Sequence, residues 1–86
     1  MIKLWIRLET DNKLVKDIIY QTADNYSRED FFEHLTEICY QLNVPVPVIL
    51  PTHYQSFEAF NNMRFLPRDF VEPFEYDKMI IENALE

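Results

Sequence analysis

From Ile2 to Glu9 apolar and polar side chains alternate, with Ile2, Leu4, Ile6 and Leu8 on one face and Lys3, Trp5, Arg7 and Glu9 on the other. A period of two is the signature of a strand with one buried face. Residues 14–22 read as a second strand, reached through Asp11-Asn12-Lys13. A two-residue loop would set Asp17 opposite Ile6, a carboxylate on the apolar face. A three-residue loop sets Asp17 opposite Arg7 and brings Ile18 and Tyr20 beside Ile6 and Leu4, so this register is expected. The chain contains no glycine, which leaves the left-handed loop position to Asn or Lys.

The pattern then changes period. Phe31, Phe32, Leu35, Ile38, Cys39 and Leu42 fall within an arc of ~120° on a helical wheel, the stripe of a helix lying on a sheet. Ser27 supplies the N-cap, Asp30 stands three residues on, and Tyr26 with Phe31 forms a hydrophobic staple. Asn43 can take the left-handed C-cap. These signals predict a helix over 28–42. Val44 to Pro51 reads as an extended edge strand, because Pro45, Pro47 and Pro51 share parity and place their missing N–H groups on one lateral side. It lacks the P-x-x-P spacing of an SH3-type ligand. Thr52-His53-Tyr54-Gln55 resembles a capping box for a short helix through Phe60, stopped by Asn61-Asn62. A short strand at 63–66, a turn at 67–70 and a last strand at 76–83 complete the chain.

The expected fold is therefore α+β, a single domain over residues 1–86. It has a mostly antiparallel sheet, an N-terminal hairpin, one amphipathic helix packed on it, a short second helix and a C-terminal strand, in the order β-β-α-β-α-β.

Composition changes this picture mainly by exclusion. Glycine-rich phosphate cradles, dinucleotide fingerprints and the hydrolase nucleophile elbow need a residue without Cβ, so those enzyme classes are excluded in their standard forms. Eight basic against fifteen acidic residues give a net charge of −7, split as +1 over 1–21, −5 over 22–62 and −3 over 63–86. Such a body repels phosphate backbones and anionic membranes and attracts cations and basic proteins. Cys39 is the only cysteine, so neither an internal disulfide nor a thiolate metal cluster can form. Residues 1–7 alternate where a signal peptide would be continuously apolar, and Val44–Pro51 is too short to span a bilayer. A cytoplasmic address is expected.

Four blocks, Lys3-Leu4-Trp5-Ile6-Arg7, Arg64-Phe65, Asp69-Phe70-Val71-Glu72 and Tyr76-Asp77, carry a resemblance. The chain resembles a small family of bacterial proteins of unknown function. The resemblance implies a stand-alone domain and brings no activity, substrate or catalytic residue with it.

Glu29, Glu33 and Glu37 recur every four residues on the first helix, with Asp30 beside them and no Lys or Arg after Arg28. Like charges at this spacing repel by a few tenths of a kcal/mol per pair, and the helix dipole offsets this only near the N-terminus. The stripe is a docking strip for a basic partner or, as charge runs commonly are, a solvated face. Trp5, flanked by Lys3 and Arg7, forms an aromatic–basic patch suited to anchoring a partner. Seven aromatics between Tyr54 and Tyr76 need burial, and packing them over the same face would instead make Trp5 part of a second core layer. If that layer stays open, the surface predicts a homodimer. His34 and His53 read as surface residues in no metal-site pattern, and Cys39 as a small buried hydrophobe. Arg64, Arg68 and Asp69 form a cluster that either holds an anion or offsets Glu72, Glu75 and Asp77.

No catalytic constellation, metal site or cofactor site emerges. The expected function is a non-catalytic domain mediating protein–protein interaction or self-association through Glu29, Asp30, Glu33 and Glu37 or through Trp5 and Arg7. It would not bind nucleic acid or membrane directly. The alternatives are an acidic inhibitor imitating nucleic acid, and a small enzyme or metal binder using His34 or His53.

Overall fold

The computed structural model describes residues 1–85. Strand β1 (Ile2–Thr10) pairs antiparallel with β2 (Lys13–Thr22), helix α1 (Arg28–Leu42) crosses the sheet, and helix α2 (Pro51–Phe60) follows. Strand β3 (Asn62–Phe65), a single 3-10 turn at Pro67–Asp69 and strand β4 (Lys78–Asn83) close the chain. The sheet is antiparallel throughout, in the spatial order β2-β1-β4-β3. The α+β class is as expected.

The hairpin register is the one that charge and apolarity favour, with Arg7 opposite Asp17, Ile6 opposite Ile18 and Leu4 opposite Tyr20. The loop differs in detail. Thr10 pairs with Lys13 around a two-residue turn, and the register shifts by one between Leu8 and Glu9, leaving Val15 as a bulge. Asp11 and Asn12 are both left-handed, at φ 54° and 61°, the conformation of a type I′ turn. A tight turn plus a bulge thus gives the same register as a three-residue loop.

Helix α1 begins and ends where its caps require. Ser27 Oγ accepts from the Asp30 N–H at 3.2 Å, and the Tyr26 ring meets Phe31 edge-on at 6.0 Å. At the other end Asn43 is left-handed (φ 56°, ψ 48°), while its N–H donates to Tyr40 O and the Val44 N–H to Cys39 O. That pair of bonds is the Schellman motif. The buried side of α1 is Phe31, His34, Leu35, Ile38, Cys39 and Leu42. Phe32, expected in the stripe, is 54% exposed, and His34, expected at the surface, is 8% exposed.

Residues 44–50 form no strand, which corrects the expected order to β-β-α-α-β-β. The prolines do segregate by parity, but the N–H groups on the other side serve three different partners. Val44 closes α1, Val48 donates to Asp69 O at 2.8 Å, and Leu50 donates to His53 Nδ1 at 2.8 Å. With Pro47 buried and Val44, Val46 and Ile49 packed on the core, the segment acts as a lid over the helix side. Helix α2 accordingly starts at Pro51, whose fixed φ and missing N–H suit the first helical position, and Leu50 stands in place of Thr52 as its cap residue.

One core results, between the sheet and the two helices, built on Leu4, Ile6, Leu8, Phe31, Leu35, Ile38, Met63, Phe65, Met79 and Ile81. The helices are joined at the surface as well. Arg28 binds Glu58 through two hydrogen bonds of 2.7 Å, and the Tyr26 hydroxyl donates to the same carboxylate at 2.7 Å. The guanidinium, then the phenol, hold the Glu58 carboxyl down to about 2.

Candidate functional site

Among the described residues no second core layer forms. Phe57, Phe65 and Phe70 enter the core on the helix side, Tyr54, Phe74 and Tyr76 pack against it, and Phe60 is 73% exposed. The side is set by α2, whose Phe57 meets Tyr26 at 5.2 Å and Phe31 at 5.9 Å. Trp5 is therefore left on an uncovered sheet face. Strand parity places Lys3, Trp5, Arg7 and Glu9 of β1 there, with Asp17, Ile19 and Gln21 of β2, Lys78, Ile80 and Glu82 of β4 and Asn62 and Arg64 of β3. Leu14, Val15 and Ile19 are 52%, 56% and 55% exposed along its β2 edge.

The centre of this face is ordered by side chains. Trp5 Nε1 donates to Asp17 Oδ2 at 2.8 Å, and the Arg7 guanidinium lies 4.1 Å from the Trp5 ring centroid. Arg7, although opposite Asp17 in register, leaves that carboxylate to the indole and bonds Glu82 at 3.3 Å. Lys78 reaches Glu9 at 3.6 Å. The indole hydrogen bond and the Arg7 contact fix the Trp5 ring on this face.

Glu29, Asp30, Glu33 and Glu37 are all exposed on the outer side of α1, on the opposite side of the domain from Trp5 and Arg7. Asp30 also belongs to the Ser27 cap, and Glu37 accepts from Gln41 at 3.1 Å. Among the described residues none of the four has a Lys or Arg partner, since Arg28 turns to Glu58. The two candidate surfaces are separate.

Both histidines have structural partners. His34 Nδ1 is 2.8 Å from the Tyr20 hydroxyl, and its Nε2 lies 3.6 Å from Asp24. Burial, then the Glu37 and Asp24 carboxylates, raise the Tyr20 phenol above its ordinary range. His53 Nδ1 accepts the Leu50 N–H, so the proton sits on Nε2, 3.7 Å from Asp69 Oδ2, and the ring packs 4.4 Å from Phe65. Among the described residues no group of three or more His, Cys, Asp or Glu is placed to hold a metal ion.

Cys39 is fully buried on the inner side of α1, and burial pushes its thiol up to about 12. The thiolate is the reactive species, so the folded protein should react with an aromatic disulfide reagent at pH 8 at least ~1,000-fold more slowly than the denaturant-unfolded chain. A colorimetric thiol assay with and without guanidinium measures this directly. Comparable rates in the two states would mean that the helix side opens readily.

Two further features lie outside what periodicity could indicate. An apolar groove between α1 and the proline segment is lined by Thr36, Tyr40, Val44, Val46 and Val71. A polar cavity of about 420 Å³ opens between α2 and β3, lined by His53, Ser56, Arg64, Arg68 and Asp69 among others. Asp69 faces His53 rather than the arginines, and neither Arg64 nor Arg68 forms an ion pair with Glu72, Glu75 or Asp77. No helix among the described residues is long and apolar enough to cross a membrane. Comparison of the chain with protein-family models, with curated proteins and with solved structures found no match.

Proposed function

We propose that this protein is a non-catalytic association domain that pairs with a second copy of itself through the open sheet face around Trp5. The observation that carries this reading is the charge balance of that face. Across β2, β1, β4 and β3 it holds Lys3, Arg7, Lys78 and Arg64 against Glu9, Asp17 and Glu82. Four positive against three negative charges leave the face close to neutral, so the acidity behind the net charge of −7 lies elsewhere on the chain.

Two acidic molecules repel least where their surfaces are free of excess negative charge, and here that surface is also the one with exposed apolar side chains and an aromatic anchor. The acidic stripe of α1 plays the opposite part and keeps the other side solvated. The non-catalytic reading is supported by the engagement of both histidines in local structure. A cytoplasmic setting goes with it, because the lone buried thiol of Cys39 suits a reducing compartment.

Four strands at ~4.8 Å spacing and six paired residues at ~3.4 Å give a footprint of roughly 400 Å² per copy, at the low end of specific interfaces. Association with a dissociation constant of about 10–100 μM is expected. Sedimentation equilibrium tests it. Ile19→Lys, at a half-exposed site where the fold should tolerate it, is expected to weaken the dimer at least tenfold, whereas Glu33→Lys with Glu37→Lys should leave it intact. A protein that remains monomeric at ~1 mM, or a dimer indifferent to Ile19→Lys, would sink the proposal.

A further inference from the structure

The cavity between α2 and β3 sits at the other edge of the sheet and concerns different chemistry. The chain has four arginines. Arg7 is paired with Glu9 and Glu82, and Arg28 with Glu58. Arg64 and Arg68 have no carboxylate partner among the described residues, and both line this one cavity. In a chain with fifteen acids, leaving two guanidiniums together and unneutralised runs against the general electrostatics. The neighbouring carboxylate does not relieve them. Asp69 Oδ2 accepts the Leu66 N–H at 2.8 Å and faces His53 Nε2. The lining therefore carries two positive charges against one.

From these observations we infer that the cavity binds the phosphate group of a small ligand. Guanidinium forks present paired N–H donors that match phosphate oxygens, and two of them together offer more donors than a carboxylate's two oxygens can use. Thr52 and Asn62 add a hydroxyl and a carboxamide to the lining. The first turn of α2 borders the cavity through Thr52 and His53, so the positive end of that helix reinforces the field. At about 420 Å³ the space admits more than a phosphate ion, leaving room for a small esterified group. The fold achieves this without a glycine-rich loop, because side chains rather than backbone N–H groups supply the donors.

The test is an NMR titration of the amide resonances with inorganic phosphate, with glycerol phosphate as a monoester, and with acetate and chloride at matched ionic strength. Saturable shifts at millimolar or lower phosphate or monoester, confined to residues 50–56 and 62–69, are expected. The tighter of the two identifies free phosphate or an ester as the natural source. Arg64→Gln with Arg68→Gln, both at exposed positions, should weaken binding at least tenfold while leaving the remaining spectrum in place. Equal responses to acetate or chloride, or unchanged binding in the double variant, would overturn the inference. Arg68→Gln alone should weaken binding about threefold or more, and because Arg68 lies outside the open sheet face, this readout is independent of dimerisation.

Discussion

Replacing Phe31 by alanine is expected to lower the stability by about 3–5 kcal/mol, enough to unfold much of the population at 37 °C. The size follows from position. Phe31 is fully buried and stands where the two helices meet, with Tyr26 at 6.0 Å, Phe57 at 5.9 Å and Tyr54 at 6.1 Å around it. Its ring is the contact through which α2 is held on the helix side of the sheet. Removing it leaves a cavity that the rigid rings around it cannot fill by collapse. Phe32→Ala and Tyr40→Ala are the controls, at residues 54% and 81% exposed, and each should change stability by no more than ~0.5 kcal/mol. Urea denaturation followed by circular dichroism gives all three values. A loss below ~1 kcal/mol for Phe31→Ala would show that the aromatic cluster is not what fastens α2.

Which parts of this arrangement could be read from residue order has a physical explanation. The hairpin register was legible because one slip would have turned both the Asp17 carboxylate and an apolar row the wrong way. The bounds of α1 were legible because capping is local chemistry, carried by Ser27 and Asn43 themselves. The flanks of its stripe were not. Phe32 and His34 each lie about 80° from the stripe's centre on the wheel, one on either side, so periodicity ranks them equally. Burial of the histidine is decided by β2, whose Tyr20 hydroxyl meets His34 Nδ1 at 2.8 Å.

The same limit governs the candidate sites. A count of aromatics after residue 54 says that rings need cover and says nothing of which face will supply it. The outcome rests on Phe57 reaching Tyr26 and Phe31, a tertiary contact. Arg64 and Arg68 were visible as a basic pair, but their isolation depends on Asp69 turning to His53 and on Glu72 and Glu75 lying elsewhere. The one signal available beforehand was the pairing of two arginines within five residues of an otherwise acidic segment.

A chain with no glycine must place other residues where the backbone turns left-handed, and this predicts that it can be stabilised by adding some. Asn12, Asn43 and Asn61 have φ of 61°, 56° and 64°. A left-handed conformation costs an L-residue about 1–2 kcal/mol, less for asparagine, and glycine none. Glycine's greater freedom in the unfolded chain returns part of that gain, so about 0.5–1 kcal/mol per site remains. Side-chain losses are small. Asn12 Oδ1 accepts from Lys78 at 3.2 Å on the surface, Asn61 Oδ1 from Asn83 at 3.5 Å, and among the described residues the Asn43 side chain makes no hydrogen bond. The three sites lie in separate elements, so their effects should add. The variant Asn12→Gly, Asn43→Gly, Asn61→Gly is expected to gain about 2 kcal/mol and to melt roughly 8–16 °C higher, with Asn43→Gly the largest single contributor. Asn43→Val, which puts a β-branched side chain at the same φ, should instead lose at least ~1 kcal/mol. Thermal melts of the parent, the three single glycine variants, the triple variant and Asn43→Val decide it, and a triple variant melting at or below the parent would mean that the asparagine side chains hold these turns more firmly than their backbone conformation strains them.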